Sequence, residues 1–286
     1  MYPVLFSLGP IIVSTYGVFL VMAFLVGAFV VWKKGREEHF EEEDLFDATL
    51  LATFWGLVGA RLVYVLLHLS EFGINPVRIL GLTRFPGLSF FGALFGGVVA
   101  VVLYGRAKKW DVFETLDLFT LGMVAGQVVG LLGAFLNGTG FGIRTNLPWA
   151  VSFPGVEGSR HPTQLYAAGL LVVVFLFLNK VFAEYRTYEW YKGSANTAAS
   201  GLTFFSYLTL WGLISLGAGF LTPSSFYWLG LPLLTFASGP MILWGIFGAY
   251  IRSGRTIEGD LGALGGSFKR RSGRGLGRDK RVGKET

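Results

Sequence analysis

The chain contains no cysteine among its 286 residues. A disulfide, a thiol nucleophile and a cysteine-ligated metal are therefore excluded, and any thiol in its chemistry must belong to another molecule. Histidine is nearly as scarce, and His39, His68 and His161 lie far apart along the sequence. Because a metal ion needs ligands that converge on it, we expect no metal site and no cofactor.

Charged residues are also sparse. They make up 15% of the chain, against 52% hydrophobic and 16% aromatic residues. A soluble domain of this length does not have such a composition, which is typical of a polytopic membrane protein. The 24 basic residues exceed the 18 acidic ones, but most of them lie in one tail and in short connections between apolar runs. We therefore expect no nucleic-acid partner.

Seven apolar runs are each long enough to cross about 30 Å of hydrocarbon as a helix. They cover residues 11–32, 45–69, 88–105, 112–136, 163–183, 202–221 and 226–251. No basic residue precedes the first run, so the charged start of a secretory signal peptide is missing. The sequence predicts an all-α polytopic membrane domain of seven transmembrane helices over residues 1–253. Residues 254–286 form a basic tail that we expect to be disordered.

The basic residues between the predicted helices are unevenly distributed. Lys and Arg are retained on the cytoplasmic side of a membrane. If the N-terminus is outside, 19 of the 24 basic residues fall in the inner connections and the tail, 4 fall in the outer connections, and Arg61 lies within a span. We therefore predict an outside N-terminus and a cytoplasmic C-terminus, with a tail that can contact anionic lipid.

The stretch over residues 126–166 differs from the other apolar regions. An uncharged run is followed by a glycine-rich loop that carries Arg144, Arg160 and His161. Polar, glycine-rich backbone at the end of a membrane span is tolerated only where protein or a water-filled cavity covers it. The loop also contains Trp149, a residue type that concentrates at membrane interfaces. We therefore predict a cavity that opens here, in the outer half of the membrane.

A single arginine, Arg61, interrupts the second predicted helix. An arginine at a helix centre costs roughly 2.5–3.5 kcal/mol on insertion scales, so its side chain should face the bundle interior or a wet cavity. One interpretation pairs it with Glu114 or Asp117, but these acids begin the fourth helix at the opposite side of the membrane. A phospholipid phosphate or a ring of carbonyl groups fits the depth of Arg61 better.

Small residues recur at every fourth position in two of the predicted helices. One row comprises Gly122, Gly126, Gly130, Ala134 and Gly138, and a shorter one comprises Gly92 and Gly96. Such rows let helix backbones approach closely where no hydrophobic effect drives helices together. We interpret them as packing seams, because nothing near them resembles a phosphate-binding loop.

Five segments resemble, in order and spacing, the prolipoprotein diacylglyceryl transferase family. They read PVLFSLGPIIVSTYG, GARLVYVLLH, GLSFFGALFGG, AFLNGTGFG and RHPTQLY, and together they span nearly the whole chain. The resemblance implies a multi-pass protein of the bacterial plasma membrane that moves the diacylglyceryl group of phosphatidylglycerol to the cysteine thiol of an exported prolipoprotein. The implied partners are anionic phosphatidylglycerol and prolipoprotein signal peptides. The missing cysteine agrees, because the thiol belongs to the substrate.

The resemblance also identifies candidate site residues. Those implied to bind substrate are Tyr16, Arg61, Ser89, Asn137, Gly138, Gly142, Arg160, Gln164 and Tyr166, together with Arg144 as a further loop cation. His161 is the candidate catalytic residue, because histidine is suited to proton transfer near neutral pH. The alternative is that His161, which precedes a proline at the entrance to a helix, only orients the loop.

Other positions of the family pattern hold residues of a different kind. Phe91 replaces a histidine, Leu131 an arginine and Ala134 an asparagine. The further departures are Thr139 and Ala167, each for a glutamate, and Trp211 and Ser215, for an arginine and a glutamate of the sixth helix. Displacing a headgroup by a thiol needs a base and fixed cations. Two hypotheses follow: an active transferase with a rearranged site, or a non-catalytic relative that binds phospholipid or a lipoprotein signal.

Overall fold

The computed structural model describes residues 3–8, 11–73, 75–81, 85, 87–192, 198–223, 227–228 and 231–255. In chain order the elements are β1 (Val4–Leu8), β2 (Ile11–Ser14), α1 (Thr15–Glu37), α2 (Glu42–Leu67), α3 (Leu69–Phe72), α4 (Pro76–Leu80), α5 (Phe90–Ala107), α6 (Val112–Asn137), β3 (Val151–Ser152), β4 (Ser159–Arg160), α7 (Thr163–Glu184), a 3-10 turn (Tyr185–Thr187), α8 (Glu189–Lys192), α9 (Leu202–Leu221), β5 (Tyr227–Trp228), β6 (Leu231–Pro232) and α10 (Leu233–Arg252). The strands form three antiparallel hairpins, β1–β2, β3–β4 and β5–β6.

Six of the long helices can cross a membrane by length and composition. They are α1, α2, α5, α6, α7 with the turn that follows it, and α9. The prediction of a helical multi-pass membrane protein is confirmed in this form. The seventh run differs from its predicted bounds, because its first residues form the β5–β6 hairpin and α10 begins only at Leu233. A seventh span therefore stays a prediction, and residues 256–286 of the predicted tail lie outside the described residues.

Helices α1 and α6 pack antiparallel along one of the predicted glycine rows. A Cβ atom added at Gly126 would lie 2.7 Å from the backbone oxygen of Ala23, and one at Gly122 would lie 2.7 Å from the backbone oxygen of Gly27. Such contacts leave no space for a side chain, so the seam is confirmed at these two positions. It does not extend to Gly130, where an added Cβ would meet no atom within 4 Å.

Helices α2 and α5 are in equally close contact. An added Cβ at Gly92 would collide with the backbone oxygen of Gly59, and one at Gly96 would collide with the backbone oxygen of Trp55. The close approach places the start of α5 beside the second half of α2, where Arg61 lies. The short glycine row is therefore also confirmed as a packing seam.

The buried apolar core lies where α6, α7 and α9 meet. Its members with at most 2% exposure include Leu118 and Leu121 of α6, Leu171 and Leu178 of α7, and Leu208 of α9. Large apolar side chains on the outer faces of the bundle are exposed, as expected for surfaces that face lipid. The same helices are apolar on all sides, which is why composition predicted them well.

Within the described ranges, five ion pairs cluster at one end of the bundle. Arg186, after α7, bridges Glu38 at 3.4 Å and Glu114 at 3.0 Å, and so links the end of α1 to the start of α6. Lys108 contacts Asp44 at 2.6 Å and links the end of α5 to the start of α2. We call this the ion-paired end, and the opposite end, where α1 begins and α6 ends, the loop end.

Asp117 of α6 is 1% exposed near the ion-paired end. Its two carboxylate oxygens accept hydrogen bonds from the backbone N–H groups of Gly201 and Phe204, each at 2.7 Å. Gly201 precedes α9 and has no capping side chain of its own. Because the first N–H groups of a helix lack partners within the helix, Asp117 supplies the cap of α9 from another helix.

Asp111, the residue before α6, also connects the start of α6 with the start of α9. Its carboxylate accepts hydrogen bonds from the backbone N–H of Glu114 at 2.8 Å and from the Ser200 hydroxyl at 2.7 Å. Burial acts to raise the pKa of Asp111, but the hydrogen bonds outweigh it and hold the pKa below its ordinary value. Arg252 of α10 donates to the Ser200 carbonyl at 2.8 Å. The starts of α6 and α9 and the end of α10 are thus joined.

Candidate functional site

The glycine-rich loop after α6 is held by the segment that leads into α7. The Gly142 N–H donates to the His161 carbonyl at 2.8 Å, and the His161 N–H donates to the Ile143 carbonyl at 3.2 Å. We call residues 138–143 together with residues 160–164 the clasp. It brings together five of the predicted site residues, Gly138, Gly142, Arg160, His161 and Gln164, and their role in a functional site stays a prediction.

Side chains of α7 complete the clasp. Gly138 ends α6 in the left-handed conformation, with φ 81°, and Gly140 follows with φ 77°, so both positions favour glycine. The Thr163 hydroxyl donates to the Gly140 carbonyl at 2.8 Å. This contact of Thr163, which holds the loop by its backbone, was not predicted, because a threonine in the first turn of a helix gives no signal in the sequence.

Gly142 is enclosed on several sides. A Cβ added there would lie 2.7 Å from the Cβ of His161 and 2.8 Å from the carbonyl oxygen of Leu221. The next residue, Ile143, donates its N–H to the same Leu221 carbonyl at 2.7 Å. Gly142 therefore acts by allowing the loop to lie between α7 and the end of α9.

Gln164 is 3% exposed and reaches back into the clasp. Its Nε2 donates to the Thr139 carbonyl at 2.7 Å. A carbonyl oxygen can only accept, so this bond fixes the orientation of the amide and identifies the other atom as oxygen. That atom, Oε1, is buried without a hydrogen-bond partner among the described residues.

Arg160 is the cation of the clasp. Its guanidinium carbon lies 5.2 Å from the centre of the Phe141 ring, and its Nη1 reaches the Gly142 carbonyl at 3.5 Å, the outer limit of a hydrogen bond. Its Nε is buried without a partner among the described residues. Arg144 pairs with Arg160 through the backbone, and its side chain is exposed. Within the part of the chain that the structure describes, the 3.5 Å contact is the one hydrogen bond of the Arg160 guanidinium.

His161 is linked to two aromatic side chains. Its Nδ1 lies 3.3 Å from the hydroxyl oxygen of Tyr166, which accepts a hydrogen bond from the indole nitrogen of Trp149 at 2.7 Å. The hydroxyl oxygen has a second lone pair and can also accept a hydrogen bond from Nδ1–H of His161, and in that tautomer Nε2 carries no proton and can act as a base. The link orients the imidazole and would hold its second nitrogen, Nε2, ready for another group.

Arg61 lies apart from the clasp and is 7% exposed. Its guanidinium donates four hydrogen bonds of 2.7–3.0 Å to backbone carbonyls, those of Arg78, Ile79, Phe85 and Gly87. Of the partners considered from the sequence, the carbonyl ring is the one present, and neither Glu114 nor Asp117 contacts Arg61. A phosphate would have to displace these carbonyls, so lipid binding by Arg61 stays a prediction.

The remaining predicted residues lie at helix ends. Ser89 is buried and begins α5, and its hydroxyl accepts from the Gly92 N–H at 3.5 Å. Tyr16 lies in the first turn of α1, and Asn137 is the last residue of α6. All are at the loop end, but among the described residues no hydrogen bond, ion pair or ring contact joins Ser89 or Tyr16 to the clasp. Their roles in substrate binding stay predictions.

The positions at which the resemblance predicts departures from the family pattern lie mostly in apolar surroundings. Phe91 and Leu131 pack against the buried core, and Trp211 is itself a member of it. The ring centres of Trp211 and Phe90 lie 5.3 Å apart. Ser215, one turn beyond Trp211, is 1% exposed, and the Ser215 hydroxyl and the Trp211 indole nitrogen have no partner among the described residues.

The six apolar helices, with their close glycine seams, define a multi-pass integral membrane protein. The chain belongs to the prolipoprotein diacylglyceryl transferase family, whose model matches residues 3–251. The resemblance found in the sequence segments is thereby confirmed.

Three relatives are named phosphatidylglycerol–prolipoprotein diacylglyceryl transferase. The protein of Clostridium tetani is 29% identical over 218 residues, which cover 74% of this chain and 82% of the relative. That of Wolbachia pipientis is 36% identical over 194 residues, covering 64% and 73%. That of Clostridioides difficile is 32% identical over 178 residues, covering 61% and 71%.

Proposed function

We propose that this protein binds phosphatidylglycerol at the clasp, in the outer half of a bacterial plasma membrane, and that its own diacylglyceryl transfer is weak or absent. The relatives carry phosphatidylglycerol and prolipoprotein in their names. Those are accordingly the substrates that a member of this family would meet. Prolipoprotein signal peptides are the second proposed partner.

The observation that carries the proposal is the contrast between two arginines. Arg61 directs four hydrogen bonds to carbonyls, whereas Arg160 has one bond of 3.5 Å and a buried Nε without a partner. An uncommitted guanidinium can bind a phosphodiester through two parallel N–H donors. Arg160 is therefore the proposed phosphate ligand, and Arg144 adds positive charge beside it.

The expectation of weak transfer rests on the side chains around the core. Electrostatic stabilisation by fixed donors is usually the largest catalytic contribution, and losing one such donor costs about 100- to 1,000-fold in rate. Phe91 and Leu131 replace two charged or titratable groups of the family pattern and pack against apolar residues. Losses within one site do not simply add, but several together should leave little activity above background.

A second candidate function is full transfer with His161 as the base, and the link from His161 through Tyr166 to Trp149 favours it. In that reaction His161 accepts the proton of the prolipoprotein thiol. The sulfur then forms a bond to the terminal glyceryl carbon of the lipid. The bond between that carbon and the phosphate oxygen breaks, and glycerol phosphate leaves with the electron pair.

The test is complementation. Cells depleted of their own transferase receive this chain, and the mobility and mass of a lipoprotein with a single lipobox cysteine are followed. We expect the cysteine to remain unmodified, or nearly so, while the chain inserts normally. Robust diacylglyceryl transfer would refute this part of the proposal and favour the second candidate.

The companion variant is His161→Ala, measured in the same cells. If the chain does transfer and His161 is the base, this variant abolishes transfer while membrane insertion stays normal. Transfer that persists in His161→Ala would exclude His161 as the base.

A further inference from the structure

The amide oxygen of Gln164 is a buried acceptor with an assigned orientation. The short bond from Nε2 to the Thr139 carbonyl prevents the amide from turning over, because two oxygens would then face each other. Oε1 is left without a partner inside a side chain that is 3% exposed. An unpaired buried acceptor costs about 1–3 kcal/mol, so a group that donates a hydrogen bond should be bound there in the working protein.

We propose that Gln164 is a specificity-determining residue that accepts a hydrogen bond from a hydroxyl of the lipid headgroup. The inference rests on the proposed binding of an anionic lipid at the clasp. It adds that the headgroup must carry a hydroxyl donor as well as a phosphate. Phosphatidylglycerol has two such hydroxyls, whereas phosphatidylethanol has the same charge and none.

The cation and the unpaired acceptor of the clasp, Arg160 and Gln164, both bond to the glycine-rich loop. Arg160 reaches the Gly142 carbonyl and Gln164 reaches the Thr139 carbonyl, three residues earlier along the loop. The free donor of Arg160 and the free acceptor of Gln164 are thus complementary to a phosphate followed by a polyol. A headgroup that offers only acceptors or only apolar atoms would leave Oε1 unpaired.

The experiment measures lipid selectivity. The full-length protein is equilibrated with equal amounts of phosphatidylglycerol and phosphatidylethanol of identical acyl chains, and the retained lipids are quantified by native mass spectrometry. One hydrogen bond between uncharged groups corresponds to about a fivefold preference. We expect the wild type to retain phosphatidylglycerol about fivefold better, and Gln164→Met to retain the two lipids equally.

Thr163→Val is the matched control. It removes the neighbouring hydrogen bond to the Gly140 carbonyl and keeps a β-branched side chain at the same turn. If Gln164→Met acts only by loosening the clasp, Thr163→Val should reduce the lipid preference in the same way. We expect Thr163→Val to keep the preference, and Gln164→Asn, with a shorter side chain, to lose it.

Arg160→Gln separates this inference from the proposed function. If the clasp binds an anionic lipid, Arg160→Gln lowers retention of both lipids to a similar extent. A wild type that binds both lipids through Arg160 without preference would overturn the role of Gln164 alone. The same conclusion follows if Gln164→Met leaves the preference intact. Retention that Arg160→Gln does not change would overturn the proposed function itself.

Discussion

The two buried or half-buried arginines at the loop end show how neighbouring groups decide the use of a charge. The Arg61 guanidinium donates four hydrogen bonds to backbone carbonyls, and its carbon lies 5.0 Å from the centre of the Phe72 ring. The Arg160 guanidinium contacts one ring and one distant carbonyl. The same side chain therefore organises backbone in one place and is available to a ligand in the other.

This difference predicts that Arg61→Ala destabilises the protein. Removal of the guanidinium leaves four carbonyls at the loop end without their donor. Hydrogen bonds to charged groups contribute about 1.5–3 kcal/mol each, so we expect a loss of at least about 2 kcal/mol in the free energy of unfolding. Arg61→Lys should restore only part of it, because an ammonium cannot span the carbonyls. Thermal unfolding in detergent measures both.

Arg78→Ala is the control for Arg61→Ala. It removes the same charge from the neighbouring helix α4, but the Arg78 side chain is exposed, and among the described residues it donates one hydrogen bond, of 3.2 Å, to the Glu71 carbonyl. We expect almost no change in unfolding temperature. Equal shifts for the two alanine variants would contradict the structural role of Arg61.

At the residue scale, the sequence predicts which residues are candidates for the site better than it predicts which groups those residues contact. Arg160, His161 and Gln164 lie together as the resemblance implied, because they are adjacent in one segment. The position of Arg61 along its predicted helix limits its possible partners to a phosphate or to carbonyl groups. The choice between these depends on where the carbonyls of residues 78, 79, 85 and 87 lie, and no periodic pattern in the sequence predicts that.

At the element scale, glycine rows act only where another helix lies against them. Gly126 and Gly130 belong to the same row of α6, one turn apart. Helix α1 covers Gly126, whereas Gly130 meets no atom within 4 Å. The row therefore has a packing function over part of its length.

We predict opposite effects of alanine at these two glycines. Gly126→Ala places a methyl group 2.7 Å from the Ala23 carbonyl oxygen and should cost about 1–3 kcal/mol. Gly130→Ala should be neutral or stabilise the helix by up to about 1 kcal/mol, because alanine is the better helix former. Unfolding temperatures of the two variants test this. A destabilised Gly130→Ala would mean that another surface covers this position.

The helices themselves were predictable because composition and length dominate inside a membrane. The errors lie at their starts. Residues 11–14, 227–228 and 231–232 were assigned to helices, but they form strands. A short apolar stretch of β-branched and aromatic residues is compatible with either a strand or a helix, and here no polar residue marks the boundary between them.

At the scale of the whole molecule, charge and glycine-rich loops occupy opposite ends. The ion pairs join connections on the side predicted to be cytoplasmic, and the clasp lies on the side predicted to be outside. Helix packing alone does not orient the bundle in a membrane, so the topology stays a prediction based on the 19 to 4 distribution of basic residues.

Reporter fusions test that topology. A reporter placed after Thr286 or at Lys109 should be active in the cytoplasm, and one placed at Glu157, between β3 and β4, should be active outside it. The physical reason is the retention of Lys and Arg on the inner side. A cytoplasmic reporter signal at Glu157 would invert the bundle and move the clasp to the inner leaflet.

The cap that Asp117 provides for α9 has a consequence for the order in which the chain is made. The carboxylate enters the membrane with α6, but the N–H groups that it binds belong to residues synthesised 84 and 87 positions later. A buried carboxylate without partners costs free energy, so Asp117 of α6 lacks its hydrogen-bond partners until α9 has been synthesised and inserted. A ribosome that stopped between α7 and α9 would release a fragment with an unpaired acid among its helices, recognisable to membrane proteases as unfinished.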